Sequence, residues 1–209
     1  MPAEATQAIL NPKNVTAFLG PQTHLVTYPL DHGAAINMVA ITGGTDPGPD
    51  WASRETSADR SGLLQAFAQW HPDIVSILKT APQMTRWPLF EVPDGSWSNG
   101  AETVLIGDAA HAMTPFAAQG AAMAMEDGFE LAETCAGLPQ AATARAIADF
   151  ETRRRLRIGR ARQRAAFNRF AYHAKGPVRL ARDAVLALKK PESLAADLDW
   201  LYGYRAIGS

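Results

Sequence analysis

The sequence predicts an α/β protein, α+β within its own 209 residues, on three observations. Residues 23–41 alternate apolar and polar side chains on either side of a tight turn, the pattern of a β-hairpin. Residues 103–137 run from a short apolar strand through Gly-Asp and a small-residue loop into an amphipathic helix. From about Ala141 the chain reads as helix almost to its end.

The hairpin is THLVTYPL at 23–30, a turn at Asp31-His32-Gly33, and AAINMVAI at 34–41. Gly and Pro at 43–49 then break regular structure. Leu63, Leu64, Phe67 and Trp70 recur at helical spacing, and Pro72 suits the first turn of a second short helix. Residues 84–92 suggest another strand, which Pro88 confines to an edge or a bulge. Pro93-Asp94-Gly95 is a turn and the expected boundary, so residues 1–95 form a first portion.

Residues 96–140 form the second portion. Thr103, Val104, Leu105 and Ile106 are expected to make a strand that delivers Gly107 and Asp108 at its carboxyl end, where open α/β sheets bind ligands. Gly107 permits a sharp turn, and an ionised Asp108 accepts hydrogen bonds from hydroxyl groups. Pro115 and Gly120 bracket an Ala-rich loop. In the helix that follows, Met125, Phe129, Ala132 and Ala136 fall on one face and Glu126, Asp127, Glu130 and Glu133 on the other. Gly137 and Pro139 end it. Its first turn offers unpaired N–H groups and a partial positive charge to an anionic ligand.

Residues 141–209 form a basic helical region. Arg153, Arg154, Arg155, Arg157, Arg160, Arg162, Arg164 and Arg169 crowd together, and the sparse aromatics among them favour a solvated helix over a nucleic-acid surface. Gly176-Pro177 interrupts it, and Trp200, Tyr202 and Tyr204 of the terminal DWLYGY are expected to anchor packing.

Composition sets the outer bounds. A hydrophobic fraction of 47% is that of a globular protein, and a net charge of −1 provides no field to recruit nucleic acid. The single cysteine, Cys135, allows no internal disulfide and fits a cytoplasmic setting. No long uncharged apolar run suggests a membrane span, and no His/Cys cluster suggests a metal site.

His24 and Tyr28 are the candidate catalytic pair. Period-two alternation places both, with Val26, on one strand face. An imidazole of near-neutral pKa beside a phenol suits deprotonation of a substrate phenol, which activates an aromatic ring towards electrophilic attack. His111 is expected to brace the loop through the backbone, and His32, His71 and His173 are assigned to structure or surface.

The string GDAAHAMTPFAAQGAAMAMED at 107–127 closely resembles the second flavin-contacting motif of the single-component FAD-dependent aromatic hydroxylases, in the branch of salicylate, hydroxybenzoate and hydroxynicotinate monooxygenases. The hairpin, WHPDIVSIL, RWPLFEV and DWLYGY are similar to further pieces of that branch in the same order. The resemblance implies a β-sheet substrate portion followed by part of an FAD domain. It implies FAD as cofactor, with Gly107 and Asp108 at the ribityl chain, Pro115 beside the ring, and Gly120, Ala121 and Ala122 presenting backbone to its pyrimidine edge. Met113 and Phe116 would roof the pocket. NADH or NADPH would be the reductant, O2 the co-substrate, and a phenolic or heteroaromatic acid the substrate. A homodimer is compatible with this reading. The G-x-G-x-x-G fingerprint that binds the ADP half of FAD is absent from the sequence, as is the family's middle Asp-Gly motif. The expectation is therefore a truncated chain, with the alternative of a non-catalytic or split flavoprotein that needs an N-terminal ADP-binding partner.

Overall fold

The computed structural model of the chain describes residues 9–44, 53–54, 57–82 and 84–206. The breaker expected at 43–49 lies outside the described residues from position 45 onward. Two units emerge, Met1–Pro88 with Phe170–Arg182, and Leu89–Arg169 with Asp183–Ser209.

The first unit is built on an antiparallel sheet of β1 (Thr16–Gly20), β2 (Thr23–Leu30) and β3 (Ala35–Thr42), in that order. The hairpin falls where the alternation places it, and its turn holds Asp31, His32 and Gly33 at φ of 48°, 55° and 94°. Register pairs Leu25 with Phe18 and Ala40, so these residues share a face. That face meets α1 (Ser57–Ala66) and α2 (Pro72–Thr80), and Leu25, Ile36, Phe67, Ile74, Ile77 and Leu78 form the core between them. Trp70 lies so close to β1 that a Cβ on Gly20 would stand 2.5 Å from its ring. Its Nε1 donates to Thr23 Oγ1 at 3.1 Å. Both ends of α2 are satisfied. His71 Nδ1 accepts from the Asp73 N–H at 3.3 Å, and Arg60 donates to the carbonyls of Leu78, Lys79, Ala81 and Pro82.

The strand expected over 84–92 shrinks to β5 (Thr85–Arg86), paired with β4 (Ser53–Arg54). Pro88 has no N–H to extend the ladder, and Trp87, Leu89 and Phe90 stay exposed.

The second unit contains α3 (Asp108–His111), α4 (Gly120–Cys135), most of α5 (Gln140–Tyr172), the end of α6 (Gly176–Leu188), α7 (Pro191–Ala196) and α8 (Asp199–Tyr202). Its core gathers Trp97, Ala110, Met123, Ile158, Ala161 and Leu201.

Three expectations are corrected here. Residues 103–106 form no strand. A strand exists only with a partner, and here there is one bridge, Ser98 to Val104, with Leu105 N–H donating to Trp97 O at 2.7 Å. Leu105 and Ile106 stay exposed. The helix α4 is turned inside out. Met125 is 70% exposed and Phe129 is exposed, whereas Asp127 and Glu130 are fully buried. Of the terminal aromatics, Trp200 packs against the core beside the buried Leu201, whereas Tyr202 is exposed.

Candidate functional site

The inversion of α4 has an electrostatic cause. A buried carboxylate is tolerated only when charges and donors surround it. Glu126, Asp127 and Glu130 sit three and four residues apart on one helical face, and Arg153, Arg154 and Arg157 have matching spacing on α5. Arg154, 0% exposed, donates from Nε to Asp127 Oδ1 at 2.7 Å, and from Nη1 to Glu126 at 2.8 Å and Glu130 at 3.3 Å. Arg157 holds both oxygens of Glu126. It also donates to the backbone carbonyls of Trp200 and Leu201, each at 2.8 Å, which fastens the C-terminal segment. Tyr204 closes the network by donating to Glu130 at 2.5 Å.

The expectation of a solvated basic helix therefore fails at Arg154 and Arg157, which are buried ion-pair partners. Other α5 side chains tie down the loop before α3. Glu151 accepts from Trp97 N–H at 3.2 Å and Ser98 Oγ at 2.8 Å, and Arg162 donates to Val92 O at 2.7 Å. Burial pushes the Glu151 carboxyl up, but bonds from Arg155, Ser98 and the Trp97 N–H hold it below the ordinary value of 4.5.

The turn at Gly107-Asp108 rests on this network. Gly107 has φ 58° and ψ −143°, a region only glycine occupies without strain. A Cβ there would lie 3.1 Å from Ala124 Cβ. The Gly107 N–H donates to Asp127 Oδ2 at 2.9 Å, and His111 Nε2 meets the same oxygen at 2.6 Å. His111 is thus braced by a carboxylate, a correction to the expected backbone contact. Burial raises the Asp127 carboxyl, yet the bonds from His111, Gly107 and Arg154 outweigh it and hold the group below the usual 3.8.

Asp108 stands apart. It opens α3, is exposed, and makes no side-chain hydrogen bond or ion pair among the described residues. Its Oδ1 would lie 3.8 Å from a Cβ on Gly120, so the carboxylate adjoins the first turn of α4. There Gly120, Ala121 and Ala122 present backbone with almost no side chain, and the Gln119 side chain forms no cap. Pro115 is exposed in a single 3-10 turn, Pro115–Ala117. Phe116 is buried, with its carbonyl accepting from Asn168 at 2.9 Å, and Met113 packs against the core cluster that contains Trp97. A lone carboxylate for hydroxyls, an uncapped helix start and a bare small-residue backbone fit a ribityl chain and an electron-rich ring.

In the first unit, β2 places His24, Val26 and Tyr28 on the face opposite the core, joined through register by Asn37, Val39 and Ile41 of β3. Tyr28 is half-buried. His24 is buried under Tyr172 and His173, with Nδ1 3.0 Å from His173 Nε2. Burial, reinforced by His173, lowers its pKa from 6.5 to about 4. The near-neutral imidazole expected from sequence is therefore corrected to one uncharged well below pH 7.

Residues 6–165 match the family model described as FAD binding domain. Salicylate hydroxylase of Pseudomonas putida is 32% identical over 193 residues, covering 90% of this chain and 44% of its own length. The 3-hydroxybenzoate 6-hydroxylase of Polaromonas naphthalenivorans (strain CJ2) is 34% identical, covering 90% and 46%. A 3-amino-4-hydroxybenzoate 2-monooxygenase of Streptomyces platensis is 32% identical, covering 99% and 52%. The chain thus spans about half the length of these relatives. The fold matches a salicylate hydroxylase substrate complex with a TM-score of 0.78 at 23% identity, over 97% of this chain and 51% of that one. It also matches Klebsiella pneumoniae HpxO complexed with FAD and uric acid, with a TM-score of 0.66 at 19% identity, over 88% and 46%. Among the described residues no helix is long and apolar enough to cross a membrane.

Proposed function

This chain belongs to the FAD-binding-domain family, and from that premise we propose that it is the ribityl-and-ring-holding portion of a flavin-dependent monooxygenase acting on a phenolic or heteroaromatic acid. The observation that carries the reading is Asp108, an exposed carboxylate without a partner among the described residues, beside the uncapped start of α4. Asp108 accepts hydrogen bonds from the ribityl hydroxyls. The backbone of Gly120, Ala121 and Ala122 stabilises negative charge at the ring edge, and Pro115 walls one side. Bound FAD would supply oxygen transfer from O2 to the aromatic ring, with NADH or NADPH as reductant. The relatives named as salicylate, hydroxybenzoate and aminohydroxybenzoate enzymes support the substrate class.

On the sheet face, Tyr28 offers a phenol to the acid or hydroxyl group of the substrate. With a pKa near 4, His24 is too weak a base to take most phenol protons, so its role is that of a neutral hydrogen-bonding group tied to His173. The setting is cytoplasmic. The test is NADH or NADPH oxidation by the FAD-loaded chain with a panel of hydroxybenzoates. Stimulation by one member, with KM raised in Tyr28→Phe, supports the reading. Saturable FAD binding without stimulated oxidation favours a second reading, in which the ADP-binding half comes from another segment or chain. That reading draws support from the missing G-x-G-x-x-G.

A further inference from the structure

We propose that Asp127 is a positioning residue for flavin binding, holding the Gly107–Asp108 turn so that the Asp108 carboxylate stands at the start of α4. The inference rests on the flavin reading above.

Asp108 has no side-chain partner among the described residues, so its direction is set by the backbone that carries it. That backbone is α3, four residues long. A single turn cannot hold its own orientation, because one helical turn fixes several dihedral angles for very few hydrogen bonds. Its orientation must come from outside. Asp127 Oδ2 takes the Gly107 N–H just before α3 and His111 Nε2 at its last residue. One oxygen thus fastens both ends of the turn that presents Asp108. The other oxygen is held by Arg154 Nε, which keeps the carboxylate ionised and stationary. Arg154 is itself fixed by Glu126, Glu130 and the Met123 carbonyl. Asp127 is wholly buried and acts through the turn.

The test is a double-mutant cycle on the full chain, read as FAD affinity, with Asp127→Asn and Asp108→Asn. Asn matches Asp in size, but its single acceptor oxygen must serve three donors. Asp127→Asn is expected to weaken FAD binding at least about tenfold in the wild-type background and less than about twofold in the Asp108→Asn background, since one residue acts through the other. Equal effects in both backgrounds, or none in the wild type, overturn the proposal and leave the flavin reading intact. If Asp127→Asn fails to fold, His111→Phe takes its place, removing one anchor while sparing the Asp127–Arg154 pair. Equal FAD affinity of the wild type and Asp108→Asn contradicts the flavin reading itself. Exchange of the Gly107 amide in the unliganded chain then decides the positioning claim. A rise of at least about tenfold in Asp127→Asn upholds it, and unchanged exchange overturns it.

Discussion

Gly107 and Asp108 divide one task between neighbours. Gly107 takes a backbone conformation that a side chain resists, and Asp108 then carries into the open a carboxylate with no partner among the described residues. A methyl group at Gly107 meets both obstacles at once, a φ of 58° and the Ala124 Cβ at 3.1 Å. Gly107→Ala should therefore cost about 1–3 kcal/mol in denaturant unfolding. Unchanged stability would mean the turn is not held as described. Arg154 is the most exacting single residue. Its removal takes the guanidinium partner from Asp127 altogether and leaves Glu126 to Arg157 and Glu130 to Arg153. Arg154→Met should destabilise by about 3–5 kcal/mol, the cost of an uncompensated buried charge, and a loss below about 1 kcal/mol would show that water already screens the cluster.

The helix α4 shows how an element can be found in a sequence and still be faced the wrong way. Its start at Gly120 and its end before Gly137 follow from local signals, and so do the β2–β3 hairpin and the Pro72 start of α2. Which face turns inward does not follow from local signals. Hydrophobic periodicity expects Met125 and Phe129 to be buried, but the three α5 guanidinium groups bury the acidic face instead. The usable signal was paired spacing, Glu126, Asp127 and Glu130 against Arg153, Arg154 and Arg157. Met125→Gln and Phe129→Gln should then each change stability by no more than about 0.5 kcal/mol. Losses of 2 kcal/mol or more, roughly the size expected of core truncations, would restore the periodicity reading. The missing strand at 103–106 and the unforeseen β1 make the complementary point, since strand status depends on partners that no local pattern names. That Asp108 and Gly120 adjoin was legible because they belong to one contiguous motif. Asp127 and Arg154 are joined only by folding, which is why their roles were not legible.

Across the whole molecule, acid should act in two stages. The pKa of folded His24 is depressed from 6.5 to about 4, so below pH 6.5 the unfolded chain takes up a proton that the folded chain refuses. The stabilisation is complete above pH 6.5 and is lost as pH falls towards 4, by up to about 3 kcal/mol. Asp127 and Glu151, also held below their ordinary values, extend the loss at still lower pH. Urea unfolding at pH 7, 5.5 and 4.5 should show that slope, and His24→Phe should flatten its upper stage. A wild type equally stable at all three would refute the buried neutral imidazole. Titration of the wild type and Asp108→Ala with FAD and with riboflavin decides whether this chain grips flavin by its ribityl and ring portions through Asp108. The wild type should bind both ligands saturably. Asp108→Ala should lose affinity for both by about 1.5–3 kcal/mol, or roughly 10- to 150-fold, the value of a hydrogen bond to a charged group. Binding of FAD that excludes riboflavin, or that ignores the loss of the Asp108 carboxylate, would mean that flavin is not held there.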